Sequence, residues 1–392
     1  MIKKLKVKNF KALRDIEIEL TPIHVLIGPN DSGKTNILEV LAALCRSVDH
    51  KLSEAFLGSW KCRELVWSGK SLLHVTVEID FDEVKIKGYG FEVVFGERER
   101  IASVDKEFIR ENEKTIKLSG EIPQRSQVFH QLTHPEWSSP HSGNLYIIKG
   151  LLEGVHYYRF IPSFLALPVA PDSKRRFRME TNGFGLALLL DEILSFDRER
   201  FDKLENRFRK IFPDIKSIKL QQEESYKAPV DNPDQVTMLN KADGKGIYFQ
   251  LKDSGQLIPA SQASDGTLLV LAYLSILFLP EPPRLLLIEE PENGIHPKRL
   301  RDILEILRKL VHEQSHTQVV LTTHSPYVLD LFKPEEVTLC TKMDNGEIKT
   351  TRLSHSPAVL KQLDVFTLGE IWTSEGDERI ADSKAQTERT KE

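Results

Sequence analysis

One eight-residue segment constrains the fold of this chain more than any other feature of its sequence. The segment Gly28-Pro29-Asn30-Asp31-Ser32-Gly33-Lys34-Thr35 fits the pattern GxxxxGK[ST]. An unbroken apolar run, Val25-Leu26-Ile27, precedes it, and apolar residues recur at helical spacing after it, at Ile37, Leu38, Leu41 and Ala42. The order is a buried strand, a glycine-rich turn and an amphipathic helix, which is the context that a phosphate-binding loop requires.

The residue types in this loop suit an anion. Successive backbone N–H groups and a helix N-terminus attract phosphate, Lys34 adds a positive charge, and the Thr35 hydroxyl can ligate Mg²⁺. The alternative is a glycine-rich turn that only caps a helix, and the flanking strand and helix disfavour it. We therefore predict a nucleotide site with Thr35 as a metal ligand, formed by Gly28, Pro29, Asn30, Asp31, Ser32, Gly33, Lys34, Thr35 and Asn36.

Two further apolar runs are followed by residues with ionisable side chains. The run 285–288 is followed by Glu289 and Glu290, and the run 319–321 leads to His324. Ligands of open α/β sheets bind at the carboxyl ends of strands. There the first acid can hold Mg²⁺ and the second can polarise a water molecule. Either strand end could instead be ordinary surface, but beside a phosphate loop we predict Glu289 as a metal residue and Glu290 and His324 as catalytic residues.

A fourth segment, Ala263-Ser264-Asp265-Gly266-Thr267, stands before the apolar stretch 268–279. Small polar residues at a helix N-terminus can form an anion site without a lysine. Taken alone, the segment is more typical of a simple helix cap than of an anion site.

The remaining patterns predict an α/β fold with strands and helices in alternation after residue 258. Alternating polar and apolar residues predict a strand pair in residues 5–20 and antiparallel strands in residues 74–95. We also expect helices in residues 186–211, a loop at residues 221–234, and a two-residue hairpin turn at Asn345-Gly346 between strands at 337–339 and 348–350. Residues 97–142 receive no firm prediction.

Composition narrows the class of protein. The formal charge is −4 with 40% apolar and 29% charged residues, which excludes a chain that is basic throughout and fits a globular protein. The longest apolar run is shorter than the roughly 20 residues of a membrane span, and residues 1–6 are not typical of a secretory signal. The three cysteines form no CxxC pair, so we expect reduced thiols and a cytoplasmic location without membrane contact.

The four motifs, in this order, resemble those of the ABC-type ATPases of the SMC, RecF and OLD (overcoming lysogenization defect) group. In that resemblance 28–35 matches the Walker A motif, 264–266 the core of the signature motif, 289–290 the Walker B motif with its catalytic glutamate, 291–296 the D-loop, and His324 the switch histidine. The resemblance implies an α/β P-loop NTPase fold. It would have an ABC/SMC-head-like mixed sheet, flanking helices and an antiparallel β subdomain.

Three departures from the family pattern are visible. Glu289 stands where many members have Asp, and Asp265 replaces a glycine of the signature. The glutamine of the Q-loop has no clear counterpart. Because no sustained heptads occur, we expect a compact RecF-like or OLD-like head without a long coiled-coil arm. Only 61 residues follow Leu331, so the Toprim nuclease of OLD proteins is expected to be absent or on another chain.

The expected organisation is a single composite ATPase head in residues 1–373. It would comprise an N-terminal lobe at 1–100, a helical insertion at 180–215 and a C-terminal lobe at 255–373. The tail at 374–392 is polar and is expected to be disordered.

The resemblance also implies a mechanism. ATP and Mg²⁺ would be held between two subunits of a homodimer, with Ser264 and Gly266 completing the site of the partner. The leading interpretation is an ATPase that serves a DNA transaction, such as repair or phage defence. Basic residues that could contact double-stranded DNA, but that are also typical of ordinary solvated surface charge, are Lys3, Lys4, Lys6, Lys8, Lys11, Lys174, Arg175, Arg176 and Arg178.

Three alternatives remain open from the sequence. The chain could be a regulatory ATP switch that holds a separate effector, such as a nuclease or toxin, without touching DNA. It could be a transporter ATPase subunit, which the atypical signature disfavours. It could also bind ATP without hydrolysing it, which Glu290 and His324 argue against.

Overall fold

A computed structural model describes residues 1–57, 62–67, 74–83, 85–95, 102–118, 125–126, 128–130, 141–171, 178–227, 240–314 and 316–381. The described chain forms two compact units. The first unit comprises Met1–His156, Pro283–Leu287 and His316–Glu392, and the second comprises Tyr157–Pro282 and Ile288–Ser315. Within the described residues, no helix combines the length and the apolar character that a membrane span requires.

The first unit contains an antiparallel sheet of six strands in the order β2-β1-β4-β5-β6-β7. The strands are β1 (Ile2–Phe10), β2 (Leu13–Glu19), β4 (His74–Phe81), β5 (Ile86–Phe95), β6 (Ala102–Glu111) and β7 (Lys114–Lys117). Leu5, Val7, Ile16, Ile18 and Leu20 are buried while the charged residues Lys6, Glu17 and Glu19 between them are not, so the predicted alternation in residues 5–20 is confirmed. Strands β6 and β7 fall in the segment without a firm prediction, because charged residues on both faces hide their period.

A second sheet has the strand order β15-β14-β3-β13-β12-β8. Its strands are β3 (Ile23–Ile27), β8 (Val155–Tyr158), β12 (Leu285–Glu289), β13 (Gln318–Thr322), β14 (Val337–Lys342) and β15 (Ile348–Arg352). Both β13 and β14 run parallel to β3, whereas β15 runs antiparallel to β14. Strands β3, β12 and β13 are buried at every residue, as expected for strands covered on both faces.

Helices of the first unit within its described residues include α1 (Lys34–Arg46), α2 (Ser142–Leu152), α8 (Pro326–Leu329), α9 (Pro357–Leu360) and α10 (Leu368–Ala381), with a π-helical turn at Ser53–Leu57. Helix α1 follows the glycine-rich turn and packs its apolar face into the core through buried Ile37, Leu38 and Leu41. The strand, loop and helix predicted around residues 25–42 are thus confirmed.

The second unit contains the helices α3 (Pro162–Leu165), α4 (Leu186–Phe196), α5 (Arg198–Ile211), α6 (Asp265–Leu277) and α7 (Pro297–Glu313). It also contains a three-stranded sheet in the order β11-β10-β9, with β9 (Ile215–Lys227), β10 (Asn240–Leu251) and β11 (Leu257–Pro259). The predicted helical region 186–211 is two helices, because Asp197 ends the first and caps the second by accepting a hydrogen bond of 3.1 Å from the Arg200 backbone N–H.

Three expectations need correction. The loop predicted at 221–234 is wrong for residues 221–227, which belong to β9 and pair with β10, for example Gln221 with Gly246. A β-ladder is made by backbone groups, so a polar sequence did not prevent it. Residues 228–239 lie outside the described part of the chain.

The disordered tail predicted at 374–392 is wrong for residues 374–381, which form the end of α10 and are helical on both sides of a kink at Gly376. The side chains of Ile380 and Ala381 are buried, and the Ser356 hydroxyl donates to the Ile380 carbonyl at 2.9 Å. These tertiary contacts hold a segment whose own composition is polar. Residues 382–392 are outside the described chain.

The hairpin between β14 and β15 is confirmed, but its turn is longer than predicted. The Met343 N–H donates to the Glu347 carbonyl at 2.8 Å, so three residues, Asp344 to Gly346, form the turn. Gly346 has a φ of +80°, the left-handed conformation that glycine adopts most easily.

Candidate functional site

The glycine-rich loop lies directly after β3 in the first unit, and its two glycines are required by geometry. Gly28 has a φ of +136°, and a Cβ added there would lie 2.1 Å from the Cys340 carbonyl oxygen on β14. Gly33 has a φ of +82°, and a Cβ would lie 2.9 Å from Ile348 Cγ1. Both positions therefore combine a backbone conformation that other residues rarely adopt with a close packing contact. The loop therefore packs closely against strands β14 and β15 of the sheet that contains β3.

Lys34 is the first residue of α1 and its side chain turns back over the loop. It is 5% exposed, and its Nζ donates to the carbonyl oxygens of Gly28 at 2.9 Å and Pro29 at 2.7 Å. The first turn of α1 contains no acidic residue. Positive charge from the ammonium and from the N-terminal end of the helix is thus concentrated beside the loop, which favours a bound anion.

The remaining loop residues are accessible. Pro29, Asn30, Asp31 and Thr35 are exposed, and Asp31 forms an ion pair with Lys342. Thr35 lies in the first turn of α1, so its hydroxyl oxygen is available as a ligand for a hard cation such as Mg²⁺. Asn36 is half-buried, whereas Ser32 is buried and its hydroxyl lies 3.4 Å from Lys34 Nζ.

His324 lies at the same edge of the sheet as the loop. Strand β13 pairs in parallel with β3, with Thr322 opposite Leu26, and the Thr323 N–H donates to the Leu26 carbonyl at 3.1 Å. The chain therefore leaves β13 close to where it leaves β3, and His324 is half-buried there. The following residue, Ser325, is the N-cap of the four-residue helix α8, but its side chain makes no capping hydrogen bond to that helix.

In the second unit, Glu289 is a buried carboxylate held by two partners. Its side chain is 4% exposed, Tyr157 donates its phenolic O–H to Oε1, and Arg159 Nε lies 3.6 Å from Oε2. Sequence reasoning missed Tyr157 and Arg159. No local signal indicates them, because they precede Glu289 by more than 120 residues and meet it only through the fold.

Glu290 follows β12 in a strained conformation. Its φ is +45°, in the left-handed region that a glutamate rarely occupies. Asn293 makes two hydrogen bonds to it. The Asn293 side-chain Nδ2 donates to Glu290 Oε2 at 2.6 Å, and the Asn293 backbone N–H donates to the Glu290 carbonyl at 3.0 Å. Backbone strain of this kind clusters at functional sites, so the turn directs the carboxylate at some cost in stability.

The signature segment and the loop 291–296 meet within the second unit. Ser264 is the N-cap of α6, and its Oγ accepts a hydrogen bond of 3.2 Å from the Thr267 N–H. A Cβ added at Gly266 would lie 3.5 Å from Arg299 Cγ, and one added at Gly294 would lie 3.6 Å from Asp265 Oδ2. Ser264 and Asp265 are exposed at the helix N-terminus. The segment therefore forms a helix cap, and its polar residues are accessible at the surface.

The predicted residues fall into two groups. The phosphate loop and His324 come together in the first unit, whereas Glu289, Glu290, Ser264 and Gly266 belong to the second. Each group of predicted residues lies entirely within one unit.

Comparisons with known proteins find similarity over most of this chain. A family model described as "AAA domain, putative AbiEii toxin, Type IV TA system" matches residues 23–330. A relative named "ATP/GTP phosphatase" from Helicobacter pylori is 22% identical over 343 residues, which are 84% of this chain and 87% of the relative. An "OLD nuclease" from Thermus scotoductus is 22% identical over 366 residues, and this chain spans 62% of its length.

A shorter match links the chain to a "DNA replication and repair protein RecF" from Lactococcus lactis, at 32% identity over 82 residues, 20% of this chain and 23% of the relative. Among solved structures, an SMC head bound to the C-winged helix domain of ScpA superposes with a TM-score of 0.50 and 16% identity, covering 89% of this chain and 96% of that one. Together these matches confirm the resemblance to the SMC, RecF and OLD group and the α/β P-loop NTPase fold.

Proposed function

The chain belongs to the family described as "AAA domain, putative AbiEii toxin, Type IV TA system", and from that membership we propose that it binds ATP and hydrolyses it to ADP and phosphate with Mg²⁺. The observation that carries the proposal is the buried ammonium of Lys34, held over the glycine-rich loop at the acid-free start of α1. This arrangement favours a polyphosphate.

The side chains of the two units suggest a division of roles. Lys34 would exchange its two carbonyl partners for phosphate oxygens, and His324, at the same sheet edge, would contact the terminal phosphate. In the first unit Thr35 offers a hydroxyl oxygen, and in the second unit Glu289 offers carboxylate oxygens, both of the kind that Mg²⁺ prefers. Glu290, fixed by Asn293, would orient the attacking water.

We further propose that ATP joins two copies of the chain. The support is the accessible N-terminus of α6, where the exposed Ser264 and the half-buried Gly266 flank Asp265 and would contact an incoming nucleotide. In a symmetric dimer each copy would supply this surface to the nucleotide of the other.

Steady-state ATP hydrolysis over a range of protein concentrations tests both proposals. Lys34→Ala is expected to abolish nucleotide binding, and Glu290→Gln is expected to bind ATP but not hydrolyse it and to accumulate as a dimer on gel filtration. Glu281→Gln, at an exposed glutamate of the same unit, is the matched control. Hydrolysis by Glu290→Gln at the wild-type rate would show that the proposed role is wrong. A rate per subunit that does not depend on protein concentration would contradict dimerisation.

A DNA transaction is the first proposal for the biological role, and its support is the similarity to RecF and OLD proteins. The basic residues of the first strand give the proposed DNA role little further support. Its four lysines pair with carboxylates, Lys3 with Asp82, Lys4 and Lys6 with Glu17, and Lys8 with Asp15, and so does Lys11 just after the strand, with Glu39. Of the second basic cluster, 174–176 lie outside the described residues, and Arg178 is exposed.

The effector-holding switch is the second candidate, favoured by the toxin–antitoxin term in the family description. The chain also exposes large apolar side chains at the end of α9, Leu360 (52%), and after it, Val365 (75%) and Phe366 (49%), of the kind that mark protein contacts. Stimulation of hydrolysis by double-stranded DNA, with affinity that falls steeply with salt, would support the DNA role. Hydrolysis indifferent to DNA, together with a stoichiometric co-purifying chain, would support the switch.

A further inference from the structure

A cluster of metal-ligating side chains lies in the antiparallel sheet of the first unit, on strands that the proposed ATPase chemistry does not use. His74 opens β4, Glu92 lies in β5, and Asp105 lies in β6. One ligand atom from each of the three residues lies within 4.8 Å of the others, and His74 Nδ1 is 2.6 Å from Glu92 Oε1. Three neighbouring strands therefore present an imidazole and two carboxylates at one point.

The strand register explains how these side chains share a face. Thr76 on β4 is opposite Glu92, and residues two apart on a strand point to the same side, so His74 lies on the face of Glu92. On β6, Lys106 is opposite Glu92 and Val104 is opposite Val93, so Asp105 is an extra residue in a β-bulge. A bulge redirects a side chain. Without it, Asp105 would alternate with Lys106 and point to the other face.

The charges of the cluster favour a cation. Lys106 Nζ lies 2.9 Å from Glu92 Oε2 and 3.5 Å from Asp105 Oδ2, so one ammonium is shared by two carboxylates. Burial alone would raise the pKa of Glu92. The hydrogen bonds from Lys106 and His74 together outweigh that effect, so the pKa of Glu92 lies below its usual value. The Lys106 side chain is 67% exposed and can move into solvent when another cation arrives.

We propose that His74, Glu92 and Asp105 form a binding site for a divalent transition metal ion of the zinc class, with Lys106 as the competing cation of the metal-free protein. Imidazole together with carboxylates suits zinc and related ions, whereas Mg²⁺ prefers oxygen ligands alone. Three protein ligands leave coordination positions for water. Because the ligands come from three strands, the ion would bind β4, β5 and β6 together and stabilise the sheet.

Calorimetric titration of the chelator-treated full chain with ZnCl₂ tests the proposal. Excess Mg²⁺ is present throughout, so that sites with oxygen ligands only are occupied. Wild-type protein is expected to show one strong site. His74→Ala and Asp105→Asn are expected to weaken it by about 100-fold, since loss of a ligand costs at least as much as loss of a supporting partner. His50→Ala is the matched control, because His50 also pairs with a single carboxylate, that of Asp49, outside the cluster.

Lys106→Ala distinguishes a metal site from an ordinary ion-paired surface. Removal of the competing ammonium is expected to tighten zinc binding, whereas Lys87→Ala, at an exposed lysine on β5 of the same sheet, should leave it unchanged. Zinc should raise the melting temperature of wild type but not of His74→Ala. Equal zinc affinity in wild type, His74→Ala and Asp105→Asn would overturn the proposal, as would unchanged or weaker binding by Lys106→Ala.

Discussion

The buried imidazole of His24 makes the stability of the first unit depend on pH. His24 lies in β3, the strand that leads into the phosphate loop, and is completely buried. Its ring nitrogens lie 3.1 Å from Thr21 Oγ1 and 3.0 Å from Thr338 Oγ1. Burial, with a smaller contribution from the positive charge of Arg352, lowers the pKa of His24 from 6.5 to about 3. The ring is therefore neutral in the folded protein at any pH above about 3.

The direction of the effect follows from which state takes up the proton. Below pH 6.5 the unfolded chain protonates His24, whereas the folded protein does not until about pH 3. Acid therefore favours the unfolded state. Above pH 6.5 the neutral His24 makes its full contribution to the free energy of unfolding, and this contribution is lost as the pH falls towards 3. At 1.36 kcal/mol per unit, the loss between about pH 7.5 and about pH 5 is about 2 kcal/mol.

The assay is urea unfolding of wild type and His24→Gln at those two pH values. Glutamine keeps a hydrogen-bonding group but does not titrate, so wild type should lose about 2 kcal/mol more on acidification than the variant. Groups common to both proteins cancel, including His50, whose pKa is raised by its hydrogen bond to Asp49. If both proteins lose the same free energy, the neutral buried imidazole is refuted. His24→Asn is a second variant in case the first does not fold.

Three further predictions concern the proposed ATPase. Gly28→Ala is expected to destroy nucleotide binding, measured by fluorescent ATP titration, because its Cβ would lie 2.1 Å from the Cys340 carbonyl oxygen; Gly143→Ala, where a Cβ meets nothing within 4 Å, should bind normally. Tyr157→Phe removes the phenol that donates to Glu289 and is expected to raise the Mg²⁺ concentration for half-maximal hydrolysis; an unchanged Mg²⁺ titration would contradict it. Ser264→Ala should cost about 1 kcal/mol in urea unfolding through loss of the cap, whereas Ser264→Asp should keep the cap but prevent ATP-dependent dimerisation on gel filtration, because its charge repels phosphate.

The sequence alone determined the features that depend on neighbouring residues. The apolar run 25–27, the glycine pattern at 28–35 and the helical spacing after Thr35 lie within about 20 residues. Local propensity and burial therefore fix the strand, the phosphate loop and α1 together. The same reasoning found the cap at Ser264 and the strand ends at Glu289 and His324.

Only the tertiary structure decided which distant residues meet. Tyr157 and Arg159 reach Glu289 through the fold, and the lysines of β1 prove to be paired through cross-strand and tertiary contacts. Asp105 joins His74 and Glu92 because one extra residue in β6 changes the register. A shift of one residue reverses the face of every following side chain, and the sequence of a single strand does not contain that information. Pairing with the neighbouring strand supplies it.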